Sequence, residues 1–435
     1  MRSFFQVLSV AETIEKLRSF PPLPAERIGL DAALGRILAQ GVQAREDLPL
    51  AARSSMDGYA VRAEDLFGAG ESAPAYLECV AQVAVDAPTD RALAPGECAT
   101  IVTGGILPAG ADAVVMVEHT SALEGDESDG TVHGTVEVRR AVAPGENIML
   151  RGEDAEAGSE ALAQGTRLRP QEIGLLAALG YAEAPVGLQP RAAVISTGDE
   201  VIPIEQTPRP GQVRDVNGPA LCAMIARAGC APVPLGLVRD QEKALERALR
   251  EGLEQSDVVF LSGGSSVGVR DLTLSVVSRL TGARILAHGV AMRPGKPLVL
   301  ARVEQEGGAK AIFGLPGQVT SAQVVMHVLG LPFLRLLMGD PEPFSWQRRA
   351  FIPAVMERNV ASRQGREDYV RVRLESSGAG LPKARPMLGP SGLLRTLVEA
   401  DGLVRIPAGD EGLYEGRQVA VCPLWHPGEE PEGLS

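Results

Sequence analysis

The sequence predicts a multidomain α/β protein built around a doubly wound, mostly parallel sheet. Two observations lead to this fold class. Between residues 189 and 340, short apolar runs alternate with helical patterns, which is typical of parallel strands joined by helices. On either side of this block the chain changes to short Val-rich runs separated by turns, which is typical of β domains. The 435 residues suffice for roughly two to four domains.

The mixed parts of the chain are residues 1–45 and 147–188. A Ser-x-x-Glu capping box at residues 9–12 predicts the start of a helix. A second short helix is predicted over residues 31–38, with Asp31 as its cap. A further helix, QEIGLLAAL, follows Pro170 and ends before Gly180.

The central block predicts four strands, at residues 191–197, 234–238, 257–261 and 311–314. Helices are predicted to begin at about residues 217, 240 and 272, and a nearly wholly apolar helix to cover about 321–337. The two β regions predict shorter strands, at residues 98–102, 113–117 and 135–138, and at 351–355, 368–374, 403–406 and 418–421. In doubly wound sheets, ligands bind outside the carboxyl ends of the strands, so the turns at 197–200, 239–240, 263–271 and 314–318 define the candidate site.

Composition excludes several classes of function. With 42 Lys and Arg against 55 Asp and Glu, the net charge is −13, so the chain lacks the basic surface that binds nucleic acid. No window approaches the ~20 uninterrupted apolar residues of a membrane helix. The amino terminus has no signal-peptide pattern. The five cysteines form no CxxC pair, which argues against structural zinc or a disulfide framework. We therefore expect a cytoplasmic protein.

Three carboxylates lie in the turns of the predicted sheet edge: Glu200, Asp240 and Asp271. Each has a structural explanation when taken alone. Glu200 is then a solvated turn residue, while Asp240 and Asp271 each precede a predicted helix and cap it. Together, beside glycine-rich backbone, they predict a site for a hard cation, because Mg²⁺ takes oxygen ligands and often adds substrate phosphates.

Opposite charge comes from the segment MRPGKP, in which two prolines stiffen the loop that carries Arg293 and Lys296. An ordinary connecting loop with solvated cations is the alternative. The turn Gly263-Gly264-Ser265 offers bare backbone N–H groups before a helix, which favours an anion. This turn is weak evidence alone, because it lacks the Gly-Lys-Ser/Thr ending of a Walker loop.

Short motifs occur along nearly the whole chain: SMDGYA from Ser55, TGG from Thr103, RGED from Arg151, STGDE from Ser196, GG with SVG from Gly263, PGKP from Pro294 and GLPG from Gly314. In their kind and their order they resemble the motifs of the molybdopterin molybdenumtransferase family, which includes the E domain of gephyrin. Taken alone, Asp57-Gly58 is a common hairpin turn and Arg151 to Asp154 a charged turn.

The resemblance implies an enzyme that takes adenylylated molybdopterin and molybdate, inserts the metal into the dithiolene and releases AMP with Mg²⁺ or a similar ion. It implies homodimers in which the Asp57 and Thr103 region of one subunit completes the cleft of the other. Partner proteins of molybdenum cofactor synthesis are a further expectation. It also implies an inserted β domain, a C-terminal β-barrel and the domain ranges 1–45 with 147–188, 46–146, 189–340 and 341–427.

The resemblance also assigns roles to the residues that match its motifs. Asp57, Thr103 and Asp154 would line the cleft, and Glu200, Asp240 and Asp271 would hold the cation or position molybdate. The pterin phosphate would be held by Gly263, Gly264, Ser265 and Lys296, with Arg293, Pro316, Ser391 and Arg366 as further binding residues.

The sequence departs from the family pattern at three places. Gln318-Val319 stands where Asn-Pro is common, Gly289 where Lys is frequent, and Ser265 where Val is common; Arg293 also occupies a usual Lys position. Such changes are compatible with a preference for tungstate or with reduced activity. Two alternatives stay open: a pterin-binding scaffold without chemistry, and a general nucleotide hydrolase that releases AMP without molybdate.

Overall fold

The computed structural model describes residues 7–85, 87–126, 133–263, 267–378 and 380–424. Gly264 and Ser265, two of the predicted binding residues, lie outside this range. The backbone of Asp271 is described, but its side chain is not.

The central sheet has six strands, in the spatial order Ala231–Val238, Arg191–Thr197, Val258–Gly263, Gly308–Leu315, Val299–Gln305 and Ala283–His288. The first four strands are parallel, while the last two each run antiparallel to the preceding neighbour. Alternate residues of one strand enter two different apolar cores: Val258 and Phe260 pack in one, Val259 and Leu261 in the other. The doubly wound, mostly parallel prediction is therefore confirmed.

Helices cover both faces of this sheet, over Asn217–Arg227, Glu242–Gln255 and Val267–Arg279, and over Val319–Leu337, which contains a π-helical turn at Met326–Gly330. Two predicted caps are wrong. The second helix begins only at Glu242, after Gln241, and its start has no side-chain cap. The Asp240 carboxylate instead contacts the Thr197 hydroxyl at the end of the neighbouring strand. The third helix begins at Val267, so Asp271 lies within it rather than before it.

Among the described residues, one helix is long and apolar enough to cross a membrane, Val319–Leu337. Its most apolar window is 67% buried inside the protein, as expected for a core helix. Phe333 on this helix contacts Phe313 of the sheet, with ring centroids 5.4 Å apart, and Phe20 at 5.1 Å. The helix therefore joins the amino-terminal segment to the sheet through aromatic packing.

The mixed region begins with the helix Val10–Arg18, and the predicted capping box is confirmed: the Ser9 hydroxyl accepts the Glu12 N–H at 3.1 Å. The helix predicted over residues 31–38 is wrong. Only a single 3₁₀ turn forms, Leu30–Ala32, and Asp31 lies inside it rather than capping it. The remaining elements are the helix Pro170–Ala178 and two strand pairs, Ala25–Gly29 with Glu183–Gly187, and Val42–Gln43 with Glu160–Leu162.

A second six-stranded sheet has the spatial order Ala113–Met116, Gly58–Val61, Glu97–Ile101, Ala75–Gln82, His133–Val138 and Thr120–Asp126. The short pair Arg53–Ser54 and Ile148–Met149 lies where the chain enters and leaves this sheet. Gly58 is needed there for a steric reason, because a Cβ would overlap the Val115 carbonyl of the neighbouring strand.

The C-terminal strands close into a five-stranded β-barrel, in the order Glu367–Glu375, Lys383–Pro386, Ile352–Met356, Gln418–Pro423 and Gly402–Ile406, which pairs again with the first. The barrel prediction is thus confirmed. Smaller elements are the strand pairs Val201–Ile202 with Val213–Arg214 and Val360–Ala361 with Gly412–Leu413, and the short helix Arg395–Val398. The domain boundaries stay a prediction.

We expect Phe333→Ala to destabilise the protein, because it empties a fully buried position between two aromatic rings, Phe20 and Phe313. The expected loss in the free energy of unfolding is about 3–5 kcal/mol, measured by urea unfolding. Phe67→Ala is the matched control: this ring is 71% exposed, and its removal should change stability by less than about 0.5 kcal/mol. Equal losses in the two variants would contradict the packing described for the helix.

Candidate functional site

The carboxyl ends of the four parallel strands meet at one edge of the central sheet. A cavity of about 130 Å³ opens there, between the end of Val258–Gly263 and the turn at residues 314–318. Two predicted binding residues, Gly263 and Pro316, line this cavity, together with Thr273, Pro297 and Ser321.

Asp240 is fixed at the strand end by hydrogen bonds. The Thr197 hydroxyl lies 2.6 Å from its Oδ1 and can donate to it, and the Asp240 backbone N–H donates to Asp199 Oδ1 at 3.3 Å. Glu200 is exposed in the adjacent turn, where its backbone carbonyl accepts the Val213 N–H at 2.9 Å. The structure therefore brings the turns of Glu200 and Asp240 to the same corner of the sheet.

The carboxylates at this corner are ligands of the type that a hard cation takes. Glu200, Asp199 and Asp240 offer carboxylate oxygens, which Mg²⁺ prefers to nitrogen or sulfur ligands. Within the described part of the chain, however, no three His, Cys, Asp or Glu side chains are grouped so that they could hold a metal ion. The predicted set of Glu200, Asp240 and Asp271 stays a prediction, because the Asp271 side chain is outside the description.

Strand packing by itself requires glycine at position 263. It is the register partner of Thr197 on the neighbouring strand, and a Cβ at position 263 would overlap the Thr197 carbonyl. The glycine that the sequence suggested for anion binding thus already has a structural reason. Its backbone still lines the cavity.

The basic loop carries two exposed cations, Arg293 and Lys296. Met292–Arg293 pairs with the first barrel strand at Glu367 and Asp368, so this loop joins the central sheet to the barrel. Arg293 approaches Asp368 only loosely, with Nη1 3.8 Å from Oδ2, and its side chain stays 64% exposed. Asp368 pairs more closely with Arg366, whose Nε lies 2.8 Å from Oδ1. Arg366 is thus occupied, whereas Arg293 is available to an anion.

Arg371 is a buried cation that the sequence reasoning missed. Its guanidinium donates to three neutral acceptors: Thr396 Oγ1 at 2.7 Å, Thr320 Oγ1 at 3.2 Å and the Gly389 carbonyl at 3.3 Å. No carboxylate of the described residues lies within ion-pair distance, although the residue is only 8% exposed. Burial lowers the pKa of Arg371, and the charge of Arg293 lowers it further.

Ser391 lies beside this buried cation, since its carbonyl accepts the Thr320 N–H at 3.1 Å. Thr320 belongs to the first turn of the helix that follows Pro316, so Ser391 and Arg371 connect the barrel with the rim of the cavity. The sequence pattern that could have identified Arg371 is the alternation of side chains along its strand. Val370, Val372 and Leu374 pack in the barrel, so Arg371 points to the outside of the barrel.

Asp57 and Thr103 lie together on the second sheet. The Thr103 N–H and hydroxyl donate to Asp57 Oδ1 at 2.7 and 2.8 Å, and these bonds, the backbone one first, lower the pKa of Asp57. Asp154 is exposed in a turn that is held by its N–H bond to the Leu48 carbonyl. Within the described residues, no hydrogen bond or ion pair joins these three residues to the cavity edge of the same chain.

Comparison with known proteins identifies the class. Residues 193–336 match the family model described as a probable molybdopterin binding domain. Residues 8–180 match the MoeA N-terminal region, domains I and II, and residues 353–424 match the MoeA C-terminal region, domain IV. The fold and the cavity edge are thus those of a multidomain protein with a molybdopterin-binding type of α/β unit.

Relatives extend over nearly the whole chain. Molybdopterin molybdenumtransferases from a Nostoc species and from Bacillus subtilis are 34% and 31% identical, over 92% and 91% of this chain and 88% and 89% of those proteins. A crystal structure of a MoeA molybdopterin biosynthesis protein from Pyrococcus horikoshii is 33% identical, with a TM-score of 0.73, and covers 97% of this chain and 100% of that one. The chain belongs to the molybdopterin molybdenumtransferase family, which confirms the resemblance seen in the motifs.

We expect Arg371→Met to leave the ligand-free protein equally stable or more stable, because it removes a buried charge that has no acidic partner. Breaking a paired buried arginine would instead cost about 3–5 kcal/mol. Urea unfolding measures the difference, and Arg373→Met, two residues along the same strand and exposed, is the matched control. A loss of several kcal/mol for Arg371→Met alone would show that the guanidinium is structural.

Proposed function

We propose that this protein inserts molybdate into the dithiolene of adenylylated molybdopterin and releases AMP. Its family makes it a transferase of molybdenum cofactor biosynthesis. The observation that carries the finer proposal is the sheet edge itself, where one cavity is lined by glycine backbone and prolines. Lys296 immediately precedes the lining residue Pro297, Arg371 bonds Thr320 next to the lining residue Ser321, and the Asp240 carboxylate lies at the end of the neighbouring strand. This arrangement suits a substrate with phosphates and a second, smaller oxyanion.

The phosphates of the adenylylated pterin would meet the exposed cations. Lys296 and Arg293 lie on a loop that begins at the barrel and returns to the cavity through Pro297. A stiff loop loses little freedom on binding, and a guanidinium can hold a phosphate with two parallel hydrogen bonds. Gly263 and Pro316 allow the substrate to approach the backbone closely at the cavity wall.

The oxyanion would lie near Arg371. A buried guanidinium with only neutral partners carries an uncompensated charge. An anion bound against this guanidinium would compensate the charge. Thr320 lies in the first turn of the long apolar helix, where the positive end of the helix dipole would add to the attraction, and the Ser391 backbone is bonded to this turn. Molybdate would then lie between the barrel and the cavity.

The carboxylates would serve a divalent cation. Asp240, with Glu200 and Asp271, would hold Mg²⁺, which when bound offsets the charge that develops on the phosphoanhydride oxygens. In the reaction an oxygen of molybdate would attack the adenylyl phosphorus, the phosphoanhydride bond would break, and AMP would leave carrying that oxygen. The two dithiolene sulfurs would lose their thiol protons and take up the molybdenum. Positioning and electrostatic stabilisation are the protein's share, because no covalent intermediate with the chain is required.

A homodimer would complete this site. Asp57 and Thr103 are ordered by their own hydrogen bonds yet have no bond to the cavity edge among the described residues. Around them, Met56, Val102 and Val117 are 41%, 44% and 51% exposed, which is apolar surface beside a fixed carboxylate. We propose that a second copy covers this surface and receives Asp57 in its cleft. Cytoplasmic location and protein partners of cofactor synthesis stay predictions.

The first test is AMP release from adenylylated molybdopterin with Mg²⁺, in the presence of molybdate, tungstate or no oxyanion. We expect release that depends on molybdate and falls by at least about 100-fold in Asp240→Asn, since the variant loses one negative charge at the cation site. Greater release with tungstate would reassign the metal. Release without any oxyanion would indicate a hydrolase, and pterin binding without release a scaffold.

The second test is complementation between two inactive variants. If the cleft of one subunit uses Asp57 of the other, mixing Asp57→Asn with Asp240→Asn gives heterodimers that contain one intact site. Statistical exchange then restores about a quarter of the wild-type activity. The control mixture, Asp240→Asn with Asp271→Asn, should restore none, because both residues belong to the same side of the site. No recovery in the first mixture, with subunit exchange demonstrated, would contradict the shared site.

A further inference from the structure

The segment Asp215-Val216-Asn217 lies between a short strand and the helix Asn217–Arg227, and no family motif quoted above includes it. We infer that this segment braces the carboxyl ends of three neighbouring strands, and that Asn217 is a positioning residue for the transfer reaction. The effect on turnover rests on the proposed function, whereas the brace itself can be tested without it.

Asp215 ties the segment to the first of the three strands. Its Oδ1 accepts the Ser196 hydroxyl at 2.9 Å and the Gly218 N–H at 2.9 Å. Ser196 is the second-last residue of Arg191–Thr197 and is only 3% exposed. The carboxylate therefore fixes the start of the helix directly against the end of this strand.

Asn217 ties the same segment to the next two strands. Its Nδ2 donates to Ser262 Oγ at 2.7 Å and to the Gly317 carbonyl at 2.9 Å. Ser262 is the register partner of Ser196 on one side and of Leu315 on the other, and Gly317 follows Leu315 by two residues. Two side chains, two residues apart, thus reach three adjacent strand ends.

The orientation of the Asn217 amide is determined by its partners. The Gly317 carbonyl can only accept, so the amide nitrogen must face it. The amide oxygen, Oδ1, is then buried without a hydrogen-bond donor among the described residues, and the whole residue is only 9% exposed. A buried acceptor that lacks a donor is unfavourable, and an apolar side chain of the same size would avoid it. Such a side chain would in turn leave the Ser262 hydroxyl and the Gly317 carbonyl without the donors that Nδ2 supplies.

Those two bonds set the width of the cavity. Ser262 immediately precedes Gly263 on one wall, and Gly317 lies on the opposite wall beside Pro316. Asn217 therefore fixes the distance between the two walls that we propose hold the phosphates. Displacing a reacting group by about 1 Å costs on the order of 100-fold in rate. A brace at this place controls catalysis without contacting the substrate.

The decisive variant is Asn217→Leu, compared with the wild type by hydrogen exchange and by kinetics. We expect the amide protons of the turn at residues 314–318, other than Pro316, which has none, to exchange at least about tenfold faster, because the bond to Gly317 is lost. The urea midpoint should change little, because removal of the unpaired oxygen offsets the loss of the two bonds made by Nδ2. We expect kcat for AMP release to fall about 10–100-fold with a smaller change in KM.

Ser262→Ala and Ser256→Ala form a matched pair. Both serines are buried in or beside the same strand, at 2% and 3% exposure, but Ser256 lies at its amino end, far from the cavity. We expect only Ser262→Ala to lower kcat. In the double variant with Asn217→Leu, Ser262→Ala should have little further effect on kcat, because both substitutions remove the same bond, from Asn217 Nδ2 to Ser262 Oγ.

Two results would overturn the inference. Unchanged exchange at residues 314–318 in Asn217→Leu would show that the segment is no brace. Faster exchange with unchanged kcat, or a kcat loss that only follows a lower urea midpoint, would show a purely structural role. If the wild type releases no AMP at all, the proposed function and the positioning role fail together, while the exchange measurement still decides the brace.

Discussion

The convergence of four parallel strand ends at one sheet edge is the constraint on which the site depends. Parallel register places Thr197 opposite Gly263, and Ser262 opposite Leu315, so the turns that follow these residues start from nearly the same level. Each turn then needs only a few residues to bring a glycine backbone or a proline to the cavity, or a carboxylate to the end of the neighbouring strand. The strands set the positions, and the short loops supply the chemistry.

Charge distribution adds a second constraint. The whole chain carries a formal charge of −13, yet Lys296 and Arg371 lie next to segments that line one small cavity, and Arg293 is close enough to Arg371 to affect its pKa. A local positive field in an acidic protein attracts small anions to the site, while the remaining surface repels polyanions such as nucleic acids. Arg371 is the strongest member, because burial shields it from water and its acceptors are all neutral. Even with its pKa lowered, an arginine stays charged near neutral pH.

Local patterns predicted much of this fold, and distant contacts account for what they missed. Alternating apolar runs indicated the parallel sheet, and Ser9 with Glu12 indicated the first helix. Asp240 looked like a helix cap because the sequence does not show that Thr197, 43 residues earlier, would contact its carboxylate. Asn217 gave no local signal, since its partners lie 45 and 100 residues away. Polar bonds between separate loops are set by the tertiary fold, which periodicity does not encode.

The central claim is that the oxyanion binds between the barrel and the cavity, beside Arg371. The most direct measurement is a crystal of the protein soaked in molybdate, with an anomalous difference map recorded at the molybdenum absorption edge. The account predicts a peak in contact with the Arg371 guanidinium and near Ser391 and Lys296, and no such peak in crystals of Arg371→Met. A molybdenum peak elsewhere, or one that is unchanged in the variant, would contradict it.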